Sequence, residues 1–452
     1  MLATTRRARA PETSTWRIAA VGAVPPLREC ASNFADLPHL AVLDGGPGAN
    51  GRWTYLAADP AQCLVWDAHG GDGFAGLEAL RGPDDRHPDW PAPFSGGAIG
   101  YLAYDAVFAL ETLRVPPAPA PAGYLWAGVY DRVIARDEAT GEGWVAATSH
   151  GGRDPQRLVD EARARLATPP ARPREVRASG VTTNLDRAAY GGRVERVLDY
   201  IAAGDCYQVN LARRLTFQCQ ASSLDVYRQL VDRHPAPFGA LIRAGPVDVV
   251  SASPELFIRS NGRRAVARPI KGTRPRSHDP AVDQRRARAL RASAKERAEN
   301  VMIVDVMRND FGRVCAPGSV RAPILWSVEP HPTVWQLVSV IRGDLAEGAT
   351  SVDLLRACSP SGSVTGAPKL RAIEIIDELE PVRRGVYCGS LFRLGFDGAL
   401  TASVAIRTLQ IANGMASLDV GAGIVADSDP DLEFDETADK ARGILAALGA
   451  RE

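Results

Sequence analysis

The chain has 452 residues, enough for two domains or one large α/β unit with a sizeable core. Its 53 basic residues balance 53 acidic ones, so no overall charge directs it to nucleic acid or to a membrane surface. Seven scattered cysteines without a CxxC pair argue for reduced thiols in a cytoplasmic protein and against a disulfide framework or a zinc site.

The first part of the chain is predicted to be rich in strands. No signal peptide is expected, because the apolar piece after the early arginines is short and ends in Pro-Pro. No apolar run approaches the roughly 20 residues that a membrane-spanning helix needs. Short apolar runs at 39–44, 51–60 and 127–137 alternate with Gly/Pro turns, which predicts strands.

Two proline-rich stretches divide this first part. The stretch at 114–123 predicts an extended loop, and the second stretch, after a predicted helix at 154–167, predicts a linker. The predicted organisation is an N-terminal region at 12–166, a linker at 167–185 and a second domain at 186–447.

The second domain alternates helices and strands. Asn184 or Asp186 can cap a first helix, in which five apolar residues recur at helical spacing: Tyr190, Val194, Val197, Leu198 and Ile201. A long basic helix is predicted at 283–310, and another helix ends the chain. Strands are predicted at 206–217, 385–396, 399–411 and 415–426. Between them lie the segments 248–260 and 262–273 and an apolar run at 333–345. This pattern is typical of an α/β or α+β fold with large sheets.

Two segments only partly match nucleotide-binding motifs. GSVTGAPK at 362–369 lacks the spacing of a phosphate-binding loop, and its proline removes an amide that such a loop would use. GAGIVA at 421–426 fits G-x-G-x-x-A, but no βαβ unit follows it. Backbone amides near Gly421 and Gly423 remain candidates for binding a carboxylate, because glycine allows close approach.

The basic run at 274–297 is interrupted by Asp279, Asp283 and Glu296 and has no interleaved aromatic residues. A solvated helix face is therefore favoured over an RNA-binding surface.

Two acidic pairs share a spacing of three residues. Glu296 and Glu299 lie on one face of the predicted basic helix, and Glu433 and Glu436 repeat the spacing near the C-terminus. Each pair alone is most simply a surface feature. If the pairs converge, their repulsion requires a cation, and an all-oxygen set favours Mg²⁺ with an acidic substrate completing the shell.

Lys271 lies in PIKGT, between apolar residues and a predicted Gly-Thr turn. The simplest interpretation is a surface lysine. A lysine desolvated by apolar neighbours, however, has a lowered pKa and can act as an amine nucleophile or a base.

Several long segments together resemble the chorismate-utilising enzymes, which include anthranilate synthase component I, aminodeoxychorismate synthase component I, and the isochorismate and salicylate synthases. The resemblance runs in family order over about residues 186–445, and the N-terminal segments at 51–60 and 96–105 extend it. The matching segments are YQVNLARR (207–214), SPELFIR (253–259), PIKGTRPR (269–276), ERAENVMIVDVMRNDFGRV (296–314), SPSGSVTGAPKLRAIEIIDELEP (359–381), YCGSLF (387–392), IRT (406–408) and GAGIVADSDPDLEFDETADKA (421–441).

The resemblance implies a sandwich of two large antiparallel-rich sheets flanked by helices, with the active site in the cleft between them. Residues 12–166 correspond to the family's N-terminal region and residues 186–447 to its chorismate-binding domain. The implied substrates are chorismate and ammonia from a separate glutamine amidotransferase subunit.

The resemblance also implies roles at matching positions. Glu255 corresponds to a general acid, Glu299 and Glu436 to direct Mg²⁺ ligands, and Glu296 and Glu433 to water-mediated ones. Substrate binding is implied for Gly272, Thr273, Thr365, Tyr387, Arg407, Gly421, Ala422, Gly423 and Lys440. Arginine suits bidentate binding of a carboxylate.

Three positions bear on the reaction. Aminodeoxychorismate synthases typically have lysine at the position of Lys271, where it attacks the chorismate ring, whereas anthranilate synthases usually have alanine. Isochorismate and salicylate synthases carry a lysine at the position of Gln208 to activate water. Gln336 replaces a histidine tied to pyruvate elimination in anthranilate synthases. The chain therefore most resembles aminodeoxychorismate synthase component I, of the 4-aminobenzoate and folate branch, with anthranilate synthase component I as the alternative.

Some family members hold tryptophan in an N-terminal pocket, which residues near 52–55 and 237–239 would line here. Anthranilate synthases sense tryptophan through a serine-containing segment, and VLDGG at 42–46 lacks that serine. Strong feedback inhibition by tryptophan is not expected.

Overall fold

The computed structural model of the protein describes residues 15–46, 51–67, 72–80, 87–113, 122–331 and 334–452. The N-terminal segment 1–14 and most of the predicted loop at 114–123 lie outside these ranges. The strands are β1 Trp16–Ala23, β2 Ala41–Asp44, β3 Trp53–Ala57, β4 Gln62–Trp66, β5 Gly97–Leu102, β6 Leu125–Tyr130, β7 Arg132–Asp137, β8 Glu142–Thr148, β9 Ser179–Thr183, β10 Gln208–Gln218, β11 Phe238–Arg243, β12 Asp248–Ser253, β13 Leu256–Ser260, β14 Arg264–Ala267, β15 Ile270–Pro275, β16 Arg321–Pro330, β17 Val334–Asp344, β18 Gly366–Ala367, β19 Ser390–Gly395, β20 Leu400–Val404, β21 Thr408–Ala412 and β22 Met415–Ile424.

The helices alternate with these strands and cover them. They are α1 Leu27–Cys30, α2 Gly73–Glu78, α3 Val107–Leu110, α4 Pro155–Leu166, α5 Arg187–Ala202, α6 Ser223–Arg233, α7 Pro280–Ala292, α8 Ala294–Gly312, α9 Ser351–Cys358, α10 Lys369–Leu379 and α11 Pro430–Ala447. Among the helices in the described ranges, none combines the length and apolar composition needed to cross a bilayer.

The strands form two large sheets, and every pairing described is antiparallel. The 12-stranded sheet has the order β1-β8-β7-β3-β2-β11-β12-β21-β22-β10-β18, with β9 also on β10. The 10-stranded sheet has the order β15-β17-β14-β13-β20-β19-β5-β6-β4, with β16 also on β17. The predicted fold of two large antiparallel-rich sheets flanked by helices is confirmed.

Both sheets take strands from both sides of the predicted linker. Within the linker itself, Ser179–Thr183 forms β9, which pairs with β10 at the edge of the larger sheet. The buried apolar clusters likewise mix residues of the two regions, since one cluster contains both Trp66 and Tyr190. The N-terminal and C-terminal regions therefore share a continuous interior.

Local capping explains where the helices begin. Asp186 accepts a hydrogen bond from the Ala189 amide at 2.8 Å and starts α5, whose Tyr190, Val194 and Val197 are buried as predicted. The prediction of one helix at 283–310 is wrong. Ser293 is extended (ψ 112°) and its hydroxyl accepts from the Glu296 amide, so α7 ends there and α8 begins.

The predicted strand at 399–411 is also two strands. Arg407 has φ 51°, a left-handed conformation, and the chain passes there from β20 in the smaller sheet to β21 in the larger one. The seven cysteines all lie within the described ranges, and none of them forms a disulfide there.

Candidate active site

Lys271 lies on a bulged strand rather than in the predicted turn. Ile270 of β15 pairs with Val338 and Thr273 pairs with Gln336, so β15 carries one extra residue between these pairs. Gly272 occupies the bulge with φ 84°, and a Cβ there would lie only 2.6 Å from Glu296 Oε2. Because a bulge redirects the neighbouring side chain, it aims Lys271 away from the regular pleat.

The Lys271 side chain reaches from the smaller sheet to the larger one. Its Nζ lies 3.5 Å from where a Cβ on Gly423 of β22 would stand, and Gln208 Nε2 lies 3.2 Å from the same point. Burial lowers the pKa of the Lys271 amine, and Lys440 adds to this effect, whereas Glu299, Glu255 and Glu436 oppose it. The amine is thus closer to its neutral, nucleophilic form than a solvated lysine.

Glu255 sits where the chain passes from β12 in the larger sheet to β13 in the smaller one. Its side chain is buried, and Oε1 accepts a hydrogen bond from Ser363 Oγ at 2.8 Å. Burial raises the pKa of Glu255 to about 7, although Ser363 and Lys271 pull it down. A carboxyl with this pKa is partly protonated near neutrality, as a general acid requires.

The two acidic pairs approach the same region from different helices. On α8, Glu296 Oε1 accepts a hydrogen bond from Arg274 Nη1 at 3.0 Å. On α11, Glu433 Oε1 accepts from Ser428 Oγ at 2.6 Å, and Glu436 Oε1 accepts from Lys440 Nζ at 2.6 Å. Within the described part of the chain, Glu299 has neither a hydrogen bond nor an ion pair.

The electrostatics of these carboxyl groups show that they interact. Burial raises the pKa of Glu299, and Glu296 and Glu436 raise it further against the opposing effect of Lys271. Burial also raises the pKa of Glu433. For Glu436, burial is outweighed by Lys440, so its pKa is lowered. Glu299 of α8 and Glu436 of α11 are therefore close enough to act on each other electrostatically.

No group of three or more His, Cys, Asp or Glu side chains in the described ranges is arranged to hold a metal ion. The donor chemistry nevertheless suits Mg²⁺, which typically takes one or two protein carboxylates and completes its shell with water and substrate oxygens. Two side chains could serve as these protein carboxylates. Glu299 has no hydrogen-bond or ion-pair partner among the described residues, and Glu436 is paired only with a lysine.

The space between Lys271 of the smaller sheet and the β22 glycines of the larger sheet is called the cleft here, and these glycines form one wall of it. A Cβ on Gly421 would lie 3.1 Å from the Tyr387 hydroxyl and 3.0 Å from Asn210 Nδ2, and the Gly421 carbonyl accepts from Lys440 Nζ at 2.8 Å. Ala422, between the two glycines, is fully buried. The structure thus brings Tyr387, Lys440 and the Gly421–Gly423 segment together.

Arg407 lies just before β21, the strand that pairs with β22, and its side chain faces a histidine. Its Nη1 is 3.4 Å from His234 Nε2, and no carboxylate in the described ranges pairs with it. Burial lowers the pKa of its guanidinium. Such a cation lacks an anionic partner, which is the condition expected of a carboxylate-binding group.

The hydroxyl groups of Thr365 and Thr273 differ in their accessibility. The Thr365 side chain is buried and its hydroxyl donates to the Ser361 carbonyl at 3.1 Å, so that hydroxyl is used locally. Thr273 is exposed on β15, next to the bulge. Thr273 therefore has the more accessible hydroxyl.

A family model for chorismate binding enzymes matches residues 52–446. The chain belongs to this family. It is 41% identical to anthranilate synthase component 1 of Streptomyces coelicolor, over 91% of this chain and 84% of that relative. It is 43% identical to aminodeoxychorismate synthase component 1 of Escherichia coli, over 79% of this chain and 78% of that relative.

A solved structure supports the same relationship for the fold. Anthranilate synthase component I from Streptococcus pneumoniae matches with a TM-score of 0.77 and 27% identity, covering 88% of this chain and 93% of that one. Because relatives of both names are about equally similar, this chorismate-utilising enzyme is not assigned to one branch by overall identity.

Ser363, Ser428 and Asn210 of this chorismate binding enzyme were missed by the sequence interpretation, whereas Gln208 and Gln336 were singled out there without their burial. Ser363 holds Glu255, and Ser428 holds Glu433. The side-chain amide of Gln208, Asn210 Nδ2 and Gln336 Oε1 are buried without a hydrogen-bond partner in the described ranges. Buried amides without partners are costly unless a ligand or water completes them, and only the tertiary structure could reveal this.

A cavity lies between the two sheets, at the N-terminal segments for which a tryptophan pocket is predicted. It encloses about 520 Å³ of empty space, part of it open to solvent, and Trp53, Tyr55 and Pro237–Gly239 are among its lining residues. Neither Lys271 nor Glu255 lines it. The predicted segments at 52–55 and 237–239 thus meet at one cavity that is separate from the cleft.

Proposed function

We propose that this chain makes 4-amino-4-deoxychorismate from chorismate and ammonia, in the branch that leads to 4-aminobenzoate and folate. The observation that carries this proposal is the Lys271 amine, aimed by the β15 bulge across the cleft towards Gly423 and Gln208. Gln208 occupies the position where water-using relatives have a lysine, which favours ammonia over water as the entering nucleophile.

In the proposed reaction, the Lys271 amine forms a C–N bond to the chorismate ring while the C4–O bond breaks. Glu255 donates its proton to the departing hydroxyl, which leaves as water. Ammonia then forms a bond to C4, the bond to Lys271 breaks, and the free amine returns. Glu255 recovers a proton from the new ammonium group, so the balance is chorismate plus ammonia to product plus water. Covalent catalysis replaces one difficult substitution by two easier ones.

Mg²⁺ belongs to the proposal as a cofactor that would neutralise substrate carboxylate charge. Glu299 and Glu436 would be its direct ligands, with Glu296 and Glu433 acting through water. In the same scheme, Gly272 and Thr273 hold the ring carboxylate, and Tyr387, Arg407 and the Gly421–Gly423 amides hold the enolpyruvyl carboxylate. Thr365 would support the substrate site through its backbone, because its carbonyl accepts from the Asn210 amide at 2.7 Å.

Replacing Glu299 or Glu436 by glutamine is expected to raise the Mg²⁺ concentration needed for half-maximal activity by more than about tenfold, because a ligand charge is lost. Titration of activity with Mg²⁺ after removal of metal by a chelator would measure this. Asp305→Asn is the matched control, since Asp305 is an exposed carboxylate on the same helix paired with Arg308. Equal Mg²⁺ dependence in all three variants would contradict the ligand assignment.

The ammonia is proposed to come from a separate glutamine amidotransferase subunit, as the component 1 names of the relatives imply. Tryptophan is proposed as the ligand of the cavity lined by Trp53, Tyr55 and Pro237–Gly239. The absence of strong feedback inhibition by tryptophan stays a prediction.

The test of the proposed function is the product formed from chorismate, ammonium and Mg²⁺. We expect 4-amino-4-deoxychorismate, which keeps its enolpyruvyl group, so no pyruvate is released. Fluorescent anthranilate with an equal amount of pyruvate would overturn the proposal and support the alternative, anthranilate synthase component I, to whose relatives the chain is equally similar.

A further inference from the structure

A second pocket lies behind the cleft, between α3 and the end of α10. It encloses about 530 Å³ of empty space, part of it open to solvent. Tyr104, Asp105 and Phe108 line one side, and Asp377, Arg383 and Arg384 are on the other. Pro381 and Val382 are exposed at its rim, so it opens to the surface.

Two buried acceptors in this pocket have no partner within the described residues. They are Asp105 Oδ1 and the Tyr104 hydroxyl, on residues that are each 2% exposed. The other oxygen of Asp105 accepts from the Gly385 amide at 3.0 Å. Burial raises the pKa of Asp105 only to about 6, so this carboxylate is charged at neutral pH. The Asp105 oxygen can only accept, whereas the Tyr104 hydroxyl can donate or accept, so water or a ligand with hydrogen-bond donors would complete them.

The other charges in the pocket are paired among themselves. Arg384 binds Glu380 at 2.6 Å, and Arg383 lies 3.0 Å from Asp377. The two guanidinium groups also cover the aromatic faces, Arg383 over Phe108 at 3.7 Å and Arg384 over Tyr104 at 4.7 Å. Among the described residues, Asp105 is the one lining carboxylate without its own ion-pair partner, although Arg383, Arg214 and Arg384 act on it electrostatically. The lining groups therefore carry one surplus negative charge, which favours a cationic ligand over an anionic one.

Arg384 connects this pocket to residues of the cleft wall. Besides Glu380, Arg384 donates to the Asn210 carbonyl at 2.6 Å and to the Val364 carbonyl at 2.9 Å. The Asn210 amide in turn faces Gly421 in the cleft wall. A ligand released at Arg384 is therefore next to the groups that bind chorismate in the proposed function.

We propose that this pocket binds ammonium through Asp105 and Tyr104, and that ammonia moves on to the cleft after ammonium leaves one proton on the Asp105 carboxylate, which returns it to solvent. Ammonium supplies the positive charge and the N–H donors that the two unpartnered oxygens need. This inference rests on the proposed function, since only an ammonia-using reaction needs such an entry site.

The kinetic test uses ammonium chloride as the nitrogen source. Asp105→Asn and Tyr104→Phe are expected to raise KM for ammonium at least about tenfold, the effect of one lost charge-assisted hydrogen bond, and to leave KM for chorismate unchanged. Asparagine still accepts from the Gly385 amide, so the fold is kept. Glu378→Gln is the control, because Glu378 is an exposed carboxylate on α10 outside the pocket. An unchanged KM for ammonium in both pocket variants would overturn the proposal.

A binding test separates this inference from the proposed reaction. Crystals soaked in thallium(I), a monovalent cation similar in size to ammonium, should show an anomalous peak beside Asp105 in the wild type and none in Asp105→Asn. No wild-type peak overturns the proposal, and so does a peak combined with unchanged ammonium kinetics. If the wild type makes no amino product, the proposed function fails, and the ammonia role fails with it even where thallium binds.

Discussion

Lys271→Ala is expected to lose amination of chorismate by more than about 10³-fold, because removal of a nucleophile abolishes a whole covalent pathway. Binding should survive, since the carboxylate-binding groups and the glutamates are untouched. Intact-protein mass spectrometry after incubation with chorismate and Mg²⁺, without ammonia, should show an adduct of chorismate minus water on the wild type and none on the variant.

The matched variant is Lys271→Arg. It keeps a positive charge beside Glu299 and Glu255 but replaces the amine by a guanidinium that stays protonated and cannot attack. Loss of both adduct and activity in this variant would show that the amine itself is needed, rather than its charge. Activity near the wild-type level in either variant, or anthranilate formation, would make Lys271 a bystander.

Glu255→Gln is expected to lower kcat by about 10²- to 10⁴-fold, the usual contribution of a general acid. Glutamine can still accept the hydrogen bond from Ser363, so the fold around the cleft is preserved. Far-UV circular dichroism and thermal unfolding of both proteins would serve as the control for folding.

The same residue predicts a pH dependence. Glu255 must be protonated to act, and its pKa is raised to about 7, so wild-type activity should fall as pH rises through about 7. Stability should also fall as pH rises. Between the ordinary carboxyl pKa and about 7, the folded state holds a proton that the unfolded state has lost, so the free energy of unfolding decreases with increasing pH in this range. The glutamine variant should lack this decrease. A wild-type rate that stays constant across this range would contradict the general-acid role.

The sequence predicted most elements because their causes are local. Asp186 caps α5 as expected, and the strands follow apolar runs between turns. The sequence-based prediction of element boundaries was wrong where a single residue interrupts a continuous hydrophobic pattern. Ser293 divides the basic helix, and Arg407 divides a strand, because a side-chain cap and a left-handed φ change the direction of the chain without changing its hydrophobic pattern.

Overall sequence similarity also does not decide between the aminodeoxychorismate synthase and anthranilate synthase reactions. Overall identity averages over the whole sandwich, so relatives named for two reactions score alike. In the proposed function, the chemistry depends on a few side chains, above all Lys271, Gln208 and Gln336, which are too few to change the overall identity. Gln336→His with a pyruvate assay would show whether that position controls elimination.

The sequence by itself determined that the chain forms large sheets flanked by helices. It also determined the kinds of side chain in the candidate site, which are one lysine, one glutamate in an apolar segment and two acidic pairs. Only the tertiary structure decided that these groups meet. The β15 bulge aims Lys271 across the cleft, the passage between sheets buries Glu255 against Ser363, and α8 and α11 bring the glutamates together. It alone also revealed the pocket at Asp105, because distances between residues far apart in the chain, and the loss of water around them, are set by packing rather than by spacing.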